Sequence, residues 1–191
     1  MTRIQVNIPT GTIGEWSIRK ATGDSPAYGV STMFSQIVGH DATYLEEPSG
    51  EYTFLCHDSL GPIMQDTTHE YREHQELWDG ATGDVLIGGL GIGLVNQKLI
   101  DYPNITSITI VEKNQEVIDL VWQHVPKDSR FTLIHADIDT WTPPENSHWH
   151  YGWFDTWIGD NTIANHEEYN QMLEQKYSSF CDQMGFWRQE A

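Results

Sequence analysis

The chain has 191 residues, of which 28 are acidic and 10 are lysine or arginine, so its formal net charge is −18. This balance argues against binding to a nucleic-acid backbone or to an anionic membrane surface, since both require a basic face. The two cysteines, Cys56 and Cys181, have neither metal-ligand spacing nor the pattern of a disulfide framework, so we expect a reducing, cytoplasmic compartment. No secretory leader is visible, and no apolar run approaches the roughly 20 residues of a membrane span.

The first 65 residues have the pattern of short strands, and we predict a small β-rich domain over residues 1–65. Ile4, Val6 and Ile8 alternate with polar residues. Residues 51–57 and 62–64 predict a hairpin across a turn at 58–61. Further short strands are expected at 16–19 and 27–30, whereas residues 33–38 fit a strand or a helix equally well.

A helix is expected over residues 66–80. Thr67 with Glu70 three residues later has the spacing of a capping box. His69 and His74 are five residues apart and therefore do not share a helix face as an i, i+4 metal-binding pair does. We expect both histidines to be solvated, and we predict no metal site.

A glycine-rich turn follows the helix and is the most informative stretch of the chain. Residues 85–87 form a short apolar run typical of a buried parallel strand. Gly89, Gly91 and Gly93 then occupy alternate positions before a helical run, and Glu112 closes the next strand. Glycine lets a ligand approach bare backbone, and an acid at the end of the second strand can accept both ribose hydroxyls. The stretch therefore predicts a nucleoside-binding α/β unit.

The glycine spacing distinguishes between kinds of nucleoside. A dinucleotide fingerprint counted from Gly89 requires glycine at position 94, where Leu94 stands, and a phosphate loop requires a Gly-Lys-Ser/Thr triplet that is missing. The G-x-G-x-G spacing resembles the first motif of class I S-adenosylmethionine (SAM) dependent transferases. The alternative is a glycine-rich turn in some other α/β protein.

The rest of the chain continues the α/β alternation. A third strand is predicted at 130–136, ending at Asp137, and a fourth at 149–154, ending at Asp155. A last amphipathic helix over 169–184 would end at Gly185. The alternation predicts a doubly wound, mostly parallel sheet over residues 66–191, with the ligand at the carboxyl ends of its strands.

The sheet is expected to be cut short at its C-terminal side. Only 36 residues follow Asp155, and the segment after the last helix has room for one short strand at most. The fourth strand would then be an edge with uncovered apolar surface, and we therefore expect a homodimer. The alternative is that the N-terminal β segment covers this edge within one chain.

Several stretches in fixed order resemble the spermidine-synthase-like branch of class I SAM-dependent methyltransferases over roughly residues 50–160. In that branch a small β domain precedes a Rossmann-like fold, and the cofactor is SAM or decarboxylated SAM. The stretches are Gly61-Pro-Ile-Met, the helix at 66–80, the glycine turn at 83–93, Ile110-Val-Glu112 and His135-Ala-Asp137.

The resemblance implies roles for individual residues. Gly89, Gly91 and Gly93 would surround the methionine part and the ribose, and Glu112 would hold the ribose hydroxyls. Asp137 would accept from the adenine amino group, with Ile138 against the ring. The plainer alternatives are a surface carboxylate for Glu112 and a strand-end cap for Asp137.

The chain departs from the family pattern after the fourth strand. Aminopropyltransferases have an Asp-x-x-Asp pattern there that grips the amine, whereas here Asp155 is followed by Ile158 at the second position. Counting from Asp160 instead places Ile163 there. Asp155 and Asp160 are therefore the candidate catalytic residues, and the diamine clamp is incomplete.

Four tryptophans lie around Asp155 in the sequence. They could form a cage for a sulfonium or an ammonium by cation–π attraction, although Trp149 and Trp153 fit a core role better. Trp157, just past the strand end, is the candidate substrate contact. The four are Trp141, Trp149, Trp153 and Trp157.

Three functions remain open at this point. The first is a SAM-dependent methyltransferase acting on a small, cationic acceptor that Asp155 orients or deprotonates. The second is an aminopropyltransferase that uses decarboxylated SAM. The third is a relative that degrades SAM or binds it without catalysis.

Overall fold

The computed structural model describes residues 3–25, 29–30, 48–156 and 163–187, and the side chains of 3–22, 48–156 and 166–187. This part of the chain forms two sheets, one antiparallel and one parallel. Within it, no helix is long and apolar enough to cross a membrane.

The N-terminal sheet is antiparallel and has the order β1-β2-β4-β5, with β3 paired to β2. The predicted hairpin is confirmed, since β4 pairs with β5. Residues 33–38, which the sequence left open, lie outside the described residues. The strands are β1 (Gly11–Ile13), β2 (Trp16–Ser25), β3 (Gly29–Val30), β4 (Gly50–His57) and β5 (Gly61–Gln65).

The alternating segment at 3–10 is buried as its pattern indicates, but it is not a strand. Val6 and Ile8 are buried, yet the backbone of Val6 is bonded by side chains rather than by a neighbouring strand. Its N–H donates to Asp66 Oδ2 at 2.8 Å, and its carbonyl accepts from Thr53 Oγ1 at 2.8 Å. The period-2 pattern therefore predicted burial correctly and pairing incorrectly.

Asp66 is the buried carboxylate that makes this arrangement possible. Its Oδ1 accepts from the N–H of Thr53 at 2.8 Å, and Arg3 Nη2 lies 3.8 Å from Oδ2. Burial raises the pKa of Asp66 to about 6, although both backbone hydrogen bonds and Arg3 oppose this rise. Asp66 thereby ties the N-terminal segment to β4 at the point where the first helix begins.

The expected helix over 66–80 is two short helices, α1 (Thr68–Glu73) and α2 (Gln75–Gly80). The predicted N-cap is confirmed, because Thr67 Oγ1 accepts from the N–H of Glu70 at 3.1 Å, which is one of the two hydrogen bonds of a capping box. The helix breaks at His74, whose φ of −93° and ψ of 11° leave the helical region.

The second sheet has five parallel strands in the order β10-β9-β6-β7-β8. The predicted doubly wound α/β fold is confirmed. Chain order reverses between β6 and β9, which makes their carboxyl ends the topological switch point where such sheets bind ligands. The elements are β6 (Gly83–Gly88), α3 (Leu94–Leu99), β7 (Ile105–Glu112), α4 (Gln115–Val121), β8 (Phe131–His135), β9 (Trp149–Phe154), α5 (Ile163–Tyr177) and β10 (Cys181–Phe186).

The C-terminal prediction is wrong in one respect. The last helix ends at Tyr177, and Gly185 lies within β10 instead of ending a helix. A Cβ on Gly185 would lie 2.4 Å from Tyr151 Oη, so glycine here allows β10 to pack closely beside β9. Because β9 has a neighbour on each side, it is not the exposed edge from which a homodimer was expected. The homodimer stays a prediction without that support.

The two sheets share one hydrophobic core. Helix α4 contacts both β1 and β2, and a Cβ on Gly11 would lie 3.5 Å from Leu120 Cδ2. Trp16, Ile18 and Leu55 belong to the same buried cluster as Ile87 and Val121. A second cluster on the other side of the parallel sheet joins it to α5. The division into domains at residues 65 and 66 stays a prediction.

We predict that Asp66→Ala lowers the free energy of unfolding by about 2–4 kcal/mol, because two buried backbone N–H groups lose their acceptor. Chemical denaturation measures this loss, and Asp58→Ala is the matched control because its side chain is 58% exposed. An equal loss in the two variants would contradict the role assigned to Asp66.

The same carboxyl group predicts a pH dependence. The folded state binds the Asp66 proton more tightly than the unfolded state, so this group stabilises the fold below pH 3.8 and loses that contribution as pH rises through about 6. Asp66→Asn cannot titrate. The difference in unfolding free energy between the wild type and this variant should therefore decrease as the pH rises from about 4 to about 7. A difference that does not change with pH would refute the assignment.

Candidate functional site

A pocket lies at the carboxyl ends of β6, β7, β8 and β9, at the switch point of the parallel sheet. The antiparallel sheet covers one side of it, and the segments after β9 and β10 cover another. Its lining includes five of the predicted cofactor residues and Asp155. The lining residues are Trp16, Leu55, Ile63, Met64, Glu70, Gly89, Gly91, Val111, Glu112, Lys113, Asn114, Val117, Asp137, Ile138, Asp155, Thr156, Tyr169 and Trp187.

The glycine turn forms one wall, but its three glycines differ in position. Gly89 and Gly91 line the pocket, whereas Gly93 does not and caps α3 with φ 70°. A Cβ on Gly91, where φ is 51°, would lie 2.1 Å from Met64 Sδ. The N–H of Ile92 also donates to this sulfur at 3.4 Å. Gly91 is therefore required for close packing against the end of β5, in addition to any approach of a ligand.

Glu112 is buried and is not the surface carboxylate of the plainer interpretation. Its Oε2 accepts from the N–H of Leu90 at 2.9 Å, and its Oε1 accepts from the N–H of Asn114 at 2.8 Å. The carboxylate thus holds the glycine turn against the end of β7. Oε1 also accepts from Asn114 Nδ2 at 3.1 Å, so Oε2, which has one of these donors, is the oxygen that can still receive a hydroxyl from the pocket.

Asp137 and Ile138 follow β8 and form the opposite wall. Asp137 Oδ1 accepts from the N–H of Asp139 at 3.0 Å, so Asp137 caps the strand end and also lines the pocket. Ile138 is buried, and its carbonyl accepts from Tyr177 Oη at 2.7 Å and from Lys176 Nζ at 3.0 Å. Helix α5 therefore fixes the loop that carries both residues.

Asp155 makes a contact that the sequence analysis did not predict. Its Oδ2 lies 3.1 Å from His74 Nε2, and His74 is 1% exposed rather than solvated. The neighbouring Glu70 is also buried, and its Oε2 accepts from Gln65 Nε2 at 3.0 Å. The available signal was the i, i+4 spacing of Glu70 and His74, which places both on one helix face.

Burial and neighbouring charges together shift the pKa values of His74 and Glu70. Burial would lower the pKa of His74, but the hydrogen bond and charge of Asp155, together with Glu70, raise it to about 9. Burial raises the pKa of Glu70, and the charges of Asp155 and Glu73 raise it further, against the lowering effect of His74. Both shifts favour the protonated forms of His74 and Glu70 at neutral pH.

Glu70, His74 and Asp155 are also the one group in the described ranges with three metal-ligating side chains whose ligand atoms lie within 4.8 Å of one another. The direct 3.1 Å contact between His74 and Asp155 is the geometry of a hydrogen-bonded ion pair.

The described pocket lining contains aromatic residues that the sequence did not single out. Trp149 and Trp153 are buried in the core as expected, whereas Trp157 and Asp160 lie outside the described residues and stay predictions. Trp16, Tyr169 and Trp187 line the pocket. The Tyr169 hydroxyl bridges the two rim loops, with Thr156 Oγ1 and Asp139 Oδ1 each at 2.7 Å.

Comparisons with known proteins agree with the family resemblance. Two curated proteins of Ralstonia nicotianae, polyamine aminopropyltransferase 2 and polyamine aminopropyltransferase 1, are each 25% identical over 142 residues. The matched region is 66% of this chain and 26% and 25% of those proteins, so the chain spans about a quarter of their length. No protein-family profile matches the sequence.

Among solved structures, the N-methyltransferase NodS from Bradyrhizobium japonicum is similar with a TM-score of 0.43 and 14% identity, over 59% of this chain and 62% of that one. The calicheamicin methyltransferase CalO1, solved with SAH bound, gives a TM-score of 0.39 and 17% identity over 60% and 33%. Spermidine synthase from Thermotoga maritima gives 0.38 and 13% over 66% and 50%.

The chain thus combines a doubly wound parallel sheet with distant similarity to aminopropyltransferases. The resemblance to the spermidine-synthase-like branch of class I SAM-dependent methyltransferases is confirmed at the level of 25% sequence identity.

We predict that Gly91→Ala destabilises the protein more than Gly61→Ala does. Gly61 has φ 80° with no atom within 4 Å of the place that a Cβ would occupy, so alanine there costs about 1–2 kcal/mol of backbone strain alone. At Gly91 the overlap with Met64 adds roughly 1–3 kcal/mol.

A double-mutant cycle with Met64→Ala separates strain from overlap. The two substitutions together should cost less than their sum by about 0.5–3 kcal/mol, because removing Met64 removes the overlap. Additive losses measured by denaturation would show that Met64 is not the obstacle.

Proposed function

We propose that this chain is the nucleoside-binding part of a SAM-dependent transferase that acts on a small, cationic acceptor. The observation that carries the proposal is the position of Glu112, Asp137 and Asp155 at the ends of three parallel strands around one pocket at the switch point. The fold alone would not support it, because one fold hosts many activities.

The residues present fit an adenosine group. Glu112 lies at the end of β7, where a ribose is bound in folds of this kind, and its Oε2 can accept one hydrogen bond beyond that from Leu90. Asp137 Oδ2 has no partner in the described part of the chain and could accept from an adenine amino group. The apolar side chain of Ile138 supplies a surface against which a ring can pack.

The charge of the pocket favours a cation. Glu112 and Asp137 line it as carboxylates, Asp155 is paired with His74, and burial raises the pKa of Glu70. Lys113 is the one lysine or arginine among the lining residues described. Trp16 and Trp187 add aromatic faces, which attract a sulfonium or an ammonium. A positively charged acceptor would thus be attracted, and an anionic acceptor would be repelled by the same groups.

The reaction proposed for this site is a displacement in which the acceptor would bond to a carbon attached to the sulfonium of the nucleoside. The bond from that carbon to sulfur would break, and the nucleoside would leave as a neutral thioether. The chain's own contribution is to position the acceptor and to receive its proton. Asp155 lines the pocket, its side chain is 21% exposed, and it is the carboxylate we assign to the acceptor. A positioned general base typically contributes about 10²–10⁴-fold to the rate.

Two versions of this reaction remain candidates. Methyl transfer from SAM is the first. Aminopropyl transfer from decarboxylated SAM is the second, and the distant similarity to the two polyamine aminopropyltransferases favours it. Ile158, in place of the second acid, argues against the second version.

The experiment that separates them is incubation of the protein with SAM or with decarboxylated SAM and a panel of small amines. Mass spectrometry of the products distinguishes a methylated from an aminopropylated amine, and breakdown of SAM without any acceptor would indicate the third function. If calorimetry detects no binding of SAM, of decarboxylated SAM or of the demethylated nucleoside, the proposal is refuted.

We predict that Asp155→Asn lowers turnover by about 10²-fold or more while nucleoside affinity stays close to the wild type. The contacts assigned to adenosine come from Glu112 and Asp137, which this substitution leaves in place. Asp119→Asn, on α4 and outside the pocket lining, is the matched control.

Turnover, calorimetric affinity and melting temperature measured on one preparation distinguish a catalytic role from a structural one. A folded Asp155→Asn variant with wild-type turnover would exclude Asp155 as the base and leave Asp160 as the remaining candidate.

A further inference from the structure

His74 occupies the break between α1 and α2, beneath Asp155 and outside the pocket lining. Its ring packs against two indoles, with centroid distances of 5.5 Å to Trp78 and 5.5 Å to Trp153. The ring is parallel to Trp78 within 18°. The orientation of the imidazole is therefore fixed by packing before any hydrogen bond is considered.

The hydrogen bonds of His74 determine where its protons are. Nδ1 lies 2.9 Å from the backbone carbonyl of Glu70, which can only accept, so Nδ1 carries a proton. Nε2 lies 3.1 Å from Asp155 Oδ2. One further proton is needed between these two atoms, since two lone pairs would otherwise face each other. When Asp155 is ionised, His74 is an imidazolium that donates from both nitrogens.

The surroundings favour this ion pair. Glu70 Oε1 lies 3.9 Å from His74 Nδ1, so a second buried carboxyl group faces the same imidazole. Without a cation between them, Glu70 and Asp155 would be like charges in one poorly solvated corner, and one of them would retain a proton. Glu73, at the end of α1, adds a third negative charge nearby.

We propose that His74 is a positioning residue, which holds Asp155 by Oδ2 as a charged pair and leaves Oδ1 for the acceptor. This inference rests on the proposed function for its catalytic meaning, but the ion pair itself does not. A base held by a third group is the arrangement that activates a catalytic side chain in other enzymes. His74 does not touch the pocket and acts only through Asp155.

The pair can be tested directly on the wild-type protein by nitrogen-15 NMR of the histidine rings. The signals of His74 are assigned from their loss in His74→Gln. Both ring nitrogens should be protonated at neutral pH and remain so until pH approaches about 9, with Asp155 and Glu70 as the titratable groups that face the ring. In Asp155→Asn the deprotonation should move to lower pH. A neutral His74 at neutral pH in the wild type would overturn the proposal whether or not the protein is a transferase.

The catalytic consequence is tested by His74→Gln, with His69→Gln as the matched control on the same helix. His74→Gln should lower kcat by about tenfold or more, leave nucleoside affinity unchanged, and move the acid limb of the pH–rate profile upward. That shift follows from the loss of a positive charge beside the carboxylate. A purely structural role would lower the melting temperature without moving the pH profile.

Other outcomes also decide between explanations. An unchanged pH profile in a folded His74→Gln variant would refute the positioning role. Turnover that disappears with a chelator and returns with Mn²⁺ or Zn²⁺ would also overturn it, because Asp155 and His74 would then be metal ligands. Absence of nucleoside binding, with the NMR result as expected, would refute the proposed function and leave the ion pair intact.

Discussion

Three elements meet the glycine turn after β6 so closely that a side chain there would collide with each of them. A Cβ on Gly89 would lie 2.7 Å from the Asp155 carbonyl oxygen, one on Gly91 would lie 2.1 Å from Met64 Sδ, and one on Gly93 would lie 2.2 Å from Val125 Cγ1. Because these three positions have no side chain, β5, the segment after β9 and the segment after α4 can all pack against the glycine turn. The pocket exists because its walls can approach the turn to this distance.

The carboxylate of Glu112 complements this close packing. It accepts from the N–H of Leu90 within the turn and from the N–H of Asn114 at the end of β7. These N–H groups would otherwise lack an acceptor, so the acid stabilises the turn even before a ligand binds. A residue that organises the turn and faces the pocket couples the shape of the site to the integrity of the fold.

Hydrogen bonds and ion pairs also determine how charge is distributed around the pocket. Buried acids are destabilising unless they are hydrogen-bonded or paired, and the acids beneath and beside the pocket have such partners. Asp66 has two backbone N–H donors, Glu70 has Gln65, and Asp155 has His74. The negative charge that faces the pocket therefore comes mainly from Glu112 and Asp137, because His74 balances Asp155 and burial raises the pKa of Glu70.

Local sequence patterns determined much of the molecule. The run before the turn, the glycine spacing and Glu112 predicted β6, β7 and a nucleoside pocket, because strand burial and helix entry depend on neighbouring residues. The strand-end positions of Asp137 and Asp155 followed from the same alternation, because parallel strands bring their carboxyl ends to one edge.

Long-range packing decided the rest. No local pattern indicated that Met64 would lie against Gly91, that Trp16 and Trp187 would line the pocket, or that residues 181–186 would form β10 beside β9. His74 looked like a solvated histidine because its partner, Asp155, is 81 residues away in the chain. Amphipathic spacing specifies which face of an element is buried, but the identity of the residue opposite it depends on how the whole chain packs.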